Sequence, residues 1–234
     1  MAAAKPTGTQ GKRSRRTRKA GPSVDDKSSE MPLSLERIVA ASVELLDAQG
    51  VGGLTMRRLA DHLEAGAMSL YWHVDNKEEV FGLALDAVLE YRAPQHVGET
   101  ESWRDDVVHM LEDWRASMLR HPWSALLLPR LALGPNMLNR LELLSRALSR
   151  AGVADADLNA ATWSVWNHVM GATITRGNFD RSDDDRNAAQ IRLAEFGERY
   201  PTIERSRLLL EDDWDGVFRK GLDLLLDGLS SRKG

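Results

Sequence analysis

The chain contains no cysteine, which removes a disulfide framework, thiol catalysis and cysteine-ligated zinc together. No window approaches the 18 or so uninterrupted apolar residues that a membrane span requires. The apolar start, Ala2 to Ala4, is too short for the core of a secretory signal, so a cytoplasmic home is expected. Aromatic residues make up only 6% of the 234 positions, and no segment alternates apolar and polar residues at strand length. What is present is a hydrophobic fraction of 42%, rich in Leu and Ala, which is ample for a core and leans towards an all-α protein. The length fits one large domain, or a small domain fused to a medium one.

Charge is unevenly spread. The net charge is −4, yet residues 1–20 hold Lys5, Lys12, Arg13, Arg15, Arg16, Arg18 and Lys19 without a single acid. Residues 1–32 have no hydrophobic period and read as a disordered basic tail. "GKRSRRTRK" (11–19) suits a polyanion by counterion release, and it suits a solubilising tail equally.

From residue 33 the pattern turns helical. Ser34 is placed to cap a first helix with Leu35, Ile38, Val39, Val43, Leu45 and Leu46 on one side, and Gly50, Gly52 and Gly53 stop it. Thr55 caps a second helix. A break at Glu64-Ala65-Gly66 precedes a third from about Ala67 to His73. Asp75 and Glu78 form a capping-box pair for a fourth that runs to about Tyr91. Beyond Trp103 the candidates are 103–120, 123–131, 135–151, 156–177, 186–199 and 212–230. The expected architecture is all-α: a three-helix helix-turn-helix unit over 33–92 and a larger helical domain over 93–234.

Two short helices joined by about three residues, after a longer amphipathic one, describe a DNA-binding helix-turn-helix. Successive side chains step about 100° round a helix, so Tyr71, Trp72 and His73 cannot share one core. Leu70 and Val74 claim the inner face. Ala67, Met68 and Ser69 then lie at the exposed N-terminal end, where a recognition helix meets base edges. Arg57 can reach a guanine edge or a phosphate. Lys77, at the next helix N-terminus, suits a phosphate by charge and dipole. Tyr71 and His73 are candidate phosphate donors, while Trp72 is the ring with the best case for a structural role. Core packing of the rings is the competing reading.

The stretch "LTMRRLADHLEAGAMSLYWHVDNKEEV" (54–80) resembles the DNA-binding domain of the TetR repressors, most closely the tetracycline-repressor branch. "LGPNMLNRLELLSRALSRAG" (133–152) and "FRKGLDLLLDGL" (218–229) are similar to that branch's C-terminal domain. The resemblance implies a homodimer that grips a palindromic operator in double-stranded DNA and lets go when a small-molecule effector binds. It puts Arg57, Ala67, Met68 and Ser69 where the family reads bases, and Thr55, Tyr71, Trp72, His73 and Lys77 where it contacts or frames the backbone. Two positions depart from it: Glu64 stands for a common turn glycine, which calls for a different backbone there, and Met68 stands for a proline. Arg130 and Thr175 fall near the positions that hold a drug–magnesium chelate in tetracycline repressors, and neither is a good magnesium ligand. No metal and no cofactor are therefore expected.

The second domain offers two informative helices. Residues 156–177 are apolar on nearly every side, which requires burial on both faces. Val165, Val169 and Ala172 there, with Trp214, Phe218, Leu222 and Leu225 on the last helix, are the expected dimer interface; a plain monomeric core is the alternative. Met110, Trp114, Trp123, Arg130, Met137, Trp163, Trp166, Asn167 and Met170 are the candidate ligand contacts, because adaptable Met and flat Trp surfaces suit an apolar or aromatic ligand. The same residues also suit an ordinary core. His168 and Arg176 are further polar groups on the same helix.

An enzyme finds little support. "DRSDDDRN" (180–187) superficially resembles the aspartate-rich metal site of terpene cyclases, but it reads as an acidic loop ahead of a helix. Neither a Gly-rich phosphate loop nor a nucleophile elbow is present. An architectural DNA-binding protein without a ligand is the stronger rival, and an activator would use the same DNA grip.

Overall fold

A computed structural model describes residues 32–92, 102–179, 183–196, 199–206 and 213–230. The basic tail expected over 1–32 lies outside the described residues apart from Pro32. Every regular element among the described residues is a helix. No helix among them is long and apolar enough to cross a membrane.

Four helices make the N-terminal unit, not the three expected, because α4 packs against α1 and completes the same core. α1 (Leu35–Gly53) starts where Ser34 Oγ accepts from Arg37 N–H at 3.3 Å, and its path breaks at Gly50, which takes φ +67°. α2 (Met56–His62) is capped by Thr55, whose hydroxyl accepts from Arg58 N–H at 3.2 Å. α3 (Ala67–Leu70) is a single turn, continued by hydrogen bonds from His73 and Val74 N–H to the Leu70 carbonyl. α4 (Lys77–Val88) is capped by Asn76, not Asp75. Asn76 Oδ1 accepts from Glu79 N–H, and Glu79 reaches back to Asp75 N–H. The expected box is therefore shifted by one residue, because Asp and Asn are both competent caps three positions ahead of a glutamate. Leu45, Leu59, Leu70, Val74, Phe81 and Leu85 close the core beneath these helices.

The larger unit comprises α5 (Trp103–Arg120), α6 (Pro122–Leu127), α7 (Pro135–Arg150), α8 (Asp155–Phe179), α9 (Asp183–Glu195), α10 (Pro201–Ser206) and α11 (Trp214–Ser230). α6 is shorter than its sequence pattern suggested, and α10 was not expected. Of "DRSDDDRN", residues 180–182 lie outside the described residues and the remainder opens α9. α5, α7 and α8 pack on one another, and α11 lies along α8. Gly221 permits that approach, since a Cβ there would stand 2.6 Å from the His168 ring. Ion pairs tie α11 down. Asp215 accepts from both Arg115 and Arg176, and the Arg115 hydrogen bond holds its carboxyl below the usual carboxylate range.

Candidate nucleic-acid interface and C-terminal body

The turn between α2 and α3 sets the direction of α3. Glu64 N–H bonds to the Asp61 carbonyl and Ala65 N–H to the Ala60 carbonyl. That pair of bonds is a Schellman closure, which places its left-handed residue at position 64. Glu64 takes φ +53° there. The sequence reading expected the missing glycine to alter the backbone. Instead the glutamate adopts the glycine conformation itself, at a cost of about 1–2 kcal/mol. The end of α7 makes the same closure with Gly152 at φ +90°.

Leu70 and Val74 are buried as expected, which turns the rest of α3 outwards. Ala67, Met68 and Ser69 are all exposed, as are Tyr71 and His73. Trp72 is not structural. It is 86% exposed, because the short turn points its ring away from α1 and α4, and this corrects the expectation. Arg57 projects from α2 with its side chain 91% exposed, pairing loosely with Asp61 at 4.0 Å. Arg58 is turned back instead, donating to the Gly53 carbonyl. Lys77 lies 4.8 Å over the Phe81 ring, so its ammonium is held at the start of α4 by a cation–π contact. The Thr55 oxygen is occupied by its cap, which leaves its O–H proton free to point outwards. All nine expected DNA contacts, from Thr55 to Lys77, thus occupy exposed or half-buried positions on or beside α2, α3 and the start of α4.

The C-terminal candidates divide. Met110, Trp114, Met137 and Met170 are buried, and Trp114 meets Trp166 edge to face at 5.0 Å, with Trp163 a further 5.3 Å on. The buried Trp114 indole N–H finds no acceptor among the described residues. Met110 also lines a cavity of about 160 Å³ with Tyr91, Leu143 and Arg146. Three expected ligand contacts lie elsewhere. Arg130 and Asn167 are exposed. The Trp123 indole donates to Asp47 of α1 at 2.7 Å, where His121 also binds, so it joins the two units. His168 and Arg176 are engaged in holding α11, through the Phe218 carbonyl and Asp215.

The residues expected at the dimer interface are mostly taken up within the chain. Val165, Val169, Phe218 and Leu222 are buried inside a single chain, and Ala172, Trp214 and Leu225 are half-buried. Periodicity showed that α8 is apolar all round but not which side meets α11. The uncovered face of the α8–α11 pair carries Trp163, Ile174, Val217 and Leu224 instead. It also holds a groove of about 370 Å³ between Ala160, Ala161, Leu225 and Leu229.

Sequence reasoning missed the residue that joins the two units most firmly. Arg140 of α7 is 1% exposed and donates to the carbonyls of Leu89, Glu90 and Met110 and to Asp113 at 2.7 Å. Its guanidinium lies 5.0 Å over the Tyr91 ring. Burial lowers its pKa from the ordinary arginine value, and the Asp113 hydrogen bond opposes that shift. Leu89 is the C-cap of α4 and Glu90 follows it, so α7 holds that end by carbonyls the helix leaves free. Asn136 and Met137 N–H, at the start of α7, bond to Asp86 of the same helix. The signal was available: an arginine interrupting the stripe Met137, Leu144, Ala147 and Leu148.

Comparison with known proteins agrees with this arrangement. Residues 38–84 match the family model for bacterial regulatory proteins of the tetR family, and residues 96–232 match the tetracyclin repressor-like C-terminal domain. An HTH-type transcriptional regulator from Saccharopolyspora erythraea is 40% identical over 86% of this chain and 86% of its own length. The HTH-type transcriptional repressor DrrR1 of Streptomyces coeruleorubidus is 33% identical, covering 84% of this chain and 77% of that protein. Among solved structures, ActR of Streptomyces coelicolor in complex with actinorhodin superposes with a TM-score of 0.73 at 27% identity, over 85% of this chain and 96% of that one.

Proposed function

The chain belongs to the TetR family and is a regulator of transcription, and from that premise we propose that it is a repressor. In this reading a homodimer holds a palindromic operator in the cytoplasm and releases it when a small apolar or aromatic effector enters the C-terminal body. The observation that carries the reading is the α2–α3 surface, where Arg57, Met68, Tyr71 and Trp72 stand exposed on a well-packed unit. The relative named a repressor and the neighbour solved with actinorhodin support repression and effector binding respectively.

Each group has a task in this reading. Arg57 addresses a guanine edge, and Ala67, Met68 and Ser69 meet the bases with small or flexible side chains. Tyr71, His73 and the Thr55 hydroxyl donate to flanking phosphates, and Lys77 adds a cation at the α4 N-terminus. The uncovered face of α8 and α11 is where the second copy packs. A two-fold dimer then sets its recognition helices about 34–36 Å apart, one turn of DNA.

Release follows from how α4 is held. An effector lodged beside the Trp114–Trp166 pair accepts a hydrogen bond from the Trp114 N–H and displaces α5, and with it α7, which packs on α5. Arg140 and Asn136 of α7, and Ser117 of α5 through the Val88 carbonyl, grip the C-terminal part of α4. Moving them swings the α4 end that carries α3, and the two reading heads lose their spacing. Selection of bound duplexes from a random library tests this, followed by a release screen with aromatic small molecules. An inverted repeat that is freed by at least one compound is the expected result. Recovery of no preferred duplex would overturn the reading.

A further inference from the structure

We propose that the recognition surface reads thymine through its C5-methyl group, with Met68 and Trp72 making the contact; this rests on the DNA-binding reading above. The inward direction of α3 is given by Leu70, which is fully buried. At about 100° per residue, Met68 stands about 160° from Leu70 and Trp72 about 200° from it. The two therefore form one outward ridge, about 40° apart and one turn along. Their exposure agrees, at 75% for Met68 alongside the still more exposed Trp72.

The chemistry of that ridge narrows what it can recognise. From Gly66 to Trp72 there is no Arg, Lys, Asn, Gln, Asp or Glu. In the major groove, guanine is selected by a bidentate Arg or Lys, adenine by Asn or Gln, and cytosine by a carboxylate acceptor. α3 offers none of these, and the Ser69 hydroxyl serves any base. The remaining distinctive feature of a base edge is the methyl of thymine, which apolar side chains contact. A thioether on an unbranched chain and a flat indole cover such a methyl closely. Polar readout falls to Arg57 on α2, so the half-site combines a guanine with thymines under the Met68–Trp72 ridge.

The test uses the full-length chain and a duplex recovered from a random library. Each thymine of a half-site is replaced singly by deoxyuridine, which keeps every hydrogen-bonding group and lacks only the methyl. Fluorescence anisotropy should show about a fourfold loss of affinity at each contacted thymine. Met68→Ala and Trp72→Ala should bind thymine and uracil duplexes alike, with unaltered thermal melting, since both side chains are exposed. If the wild type holds every uracil duplex as tightly as the parent while rejecting a scrambled one, methyl reading is overturned and DNA binding stands. A selected half-site without thymine also overturns it. Failure to select any duplex overturns both.

Discussion

The two halves of the molecule use the same residue type in opposite ways. Trp114 in the C-terminal body has no exposed surface and packs edge to face on Trp166, whereas Trp72 on the reading surface is almost bare. A body that hides its rings is stabilised by them. A surface that leaves Trp72, Tyr71 and Met68 in water gains nothing from them until something else covers them. The same contrast holds for arginine: Arg140 is enclosed by carbonyls and Asp113, while Arg57 reaches into solvent. Buried members hold the protein together, and in the proposed function the exposed members are the ones DNA would cover.

Substitutions that separate fold stability from DNA affinity sharpen this contrast. The largest effect is expected for Arg140→Ala, which strips three carbonyls and Asp113 of their donor in a buried setting. Chemical denaturation should show a loss of about 3–5 kcal/mol. Trp114→Ala should cost about 3 kcal/mol or more by opening a cavity in the core, measured the same way. Trp72→Ala should move stability by no more than about 0.5 kcal/mol while weakening operator binding, and a large loss of stability there would break the contrast. Smallest is Glu64→Gly, which removes the left-handed penalty and returns part of it as chain entropy. A gain of roughly 0.5–1 kcal/mol is expected, read as a raised melting temperature.

Local signals told most of the fold. Ser34 and Thr55 marked helix starts because a side-chain oxygen facing the first free N–H groups is visible in sequence. Which way the short third helix faces was legible for the same reason, since Leu70 and Val74 bury one side of a single turn. Trp72 was misjudged because a one-turn helix buries a single stripe and has no second face to pack a large ring. The C-terminal helices were harder. An all-apolar α8 does not say whether Val165 or Trp163 faces α11, and only the close approach at Gly221 decides it. Arg140 marks itself as an arginine inside an apolar stripe, but its role was overlooked because its partners are mostly main-chain carbonyls some 30 to 50 residues away, which no side-chain pattern identifies.

The central claim is that the exposed α2–α3 surface, and Arg57 above all, grips DNA without contributing to the fold. Its most direct test is a paired titration of wild type and Arg57→Ala on the selected duplex, with thermal melting of both proteins alongside. The account predicts a loss of roughly tenfold or more in affinity, in line with about 1–3 kcal/mol for one bidentate base contact, at an unchanged melting temperature. Equal affinity for the two proteins would contradict it.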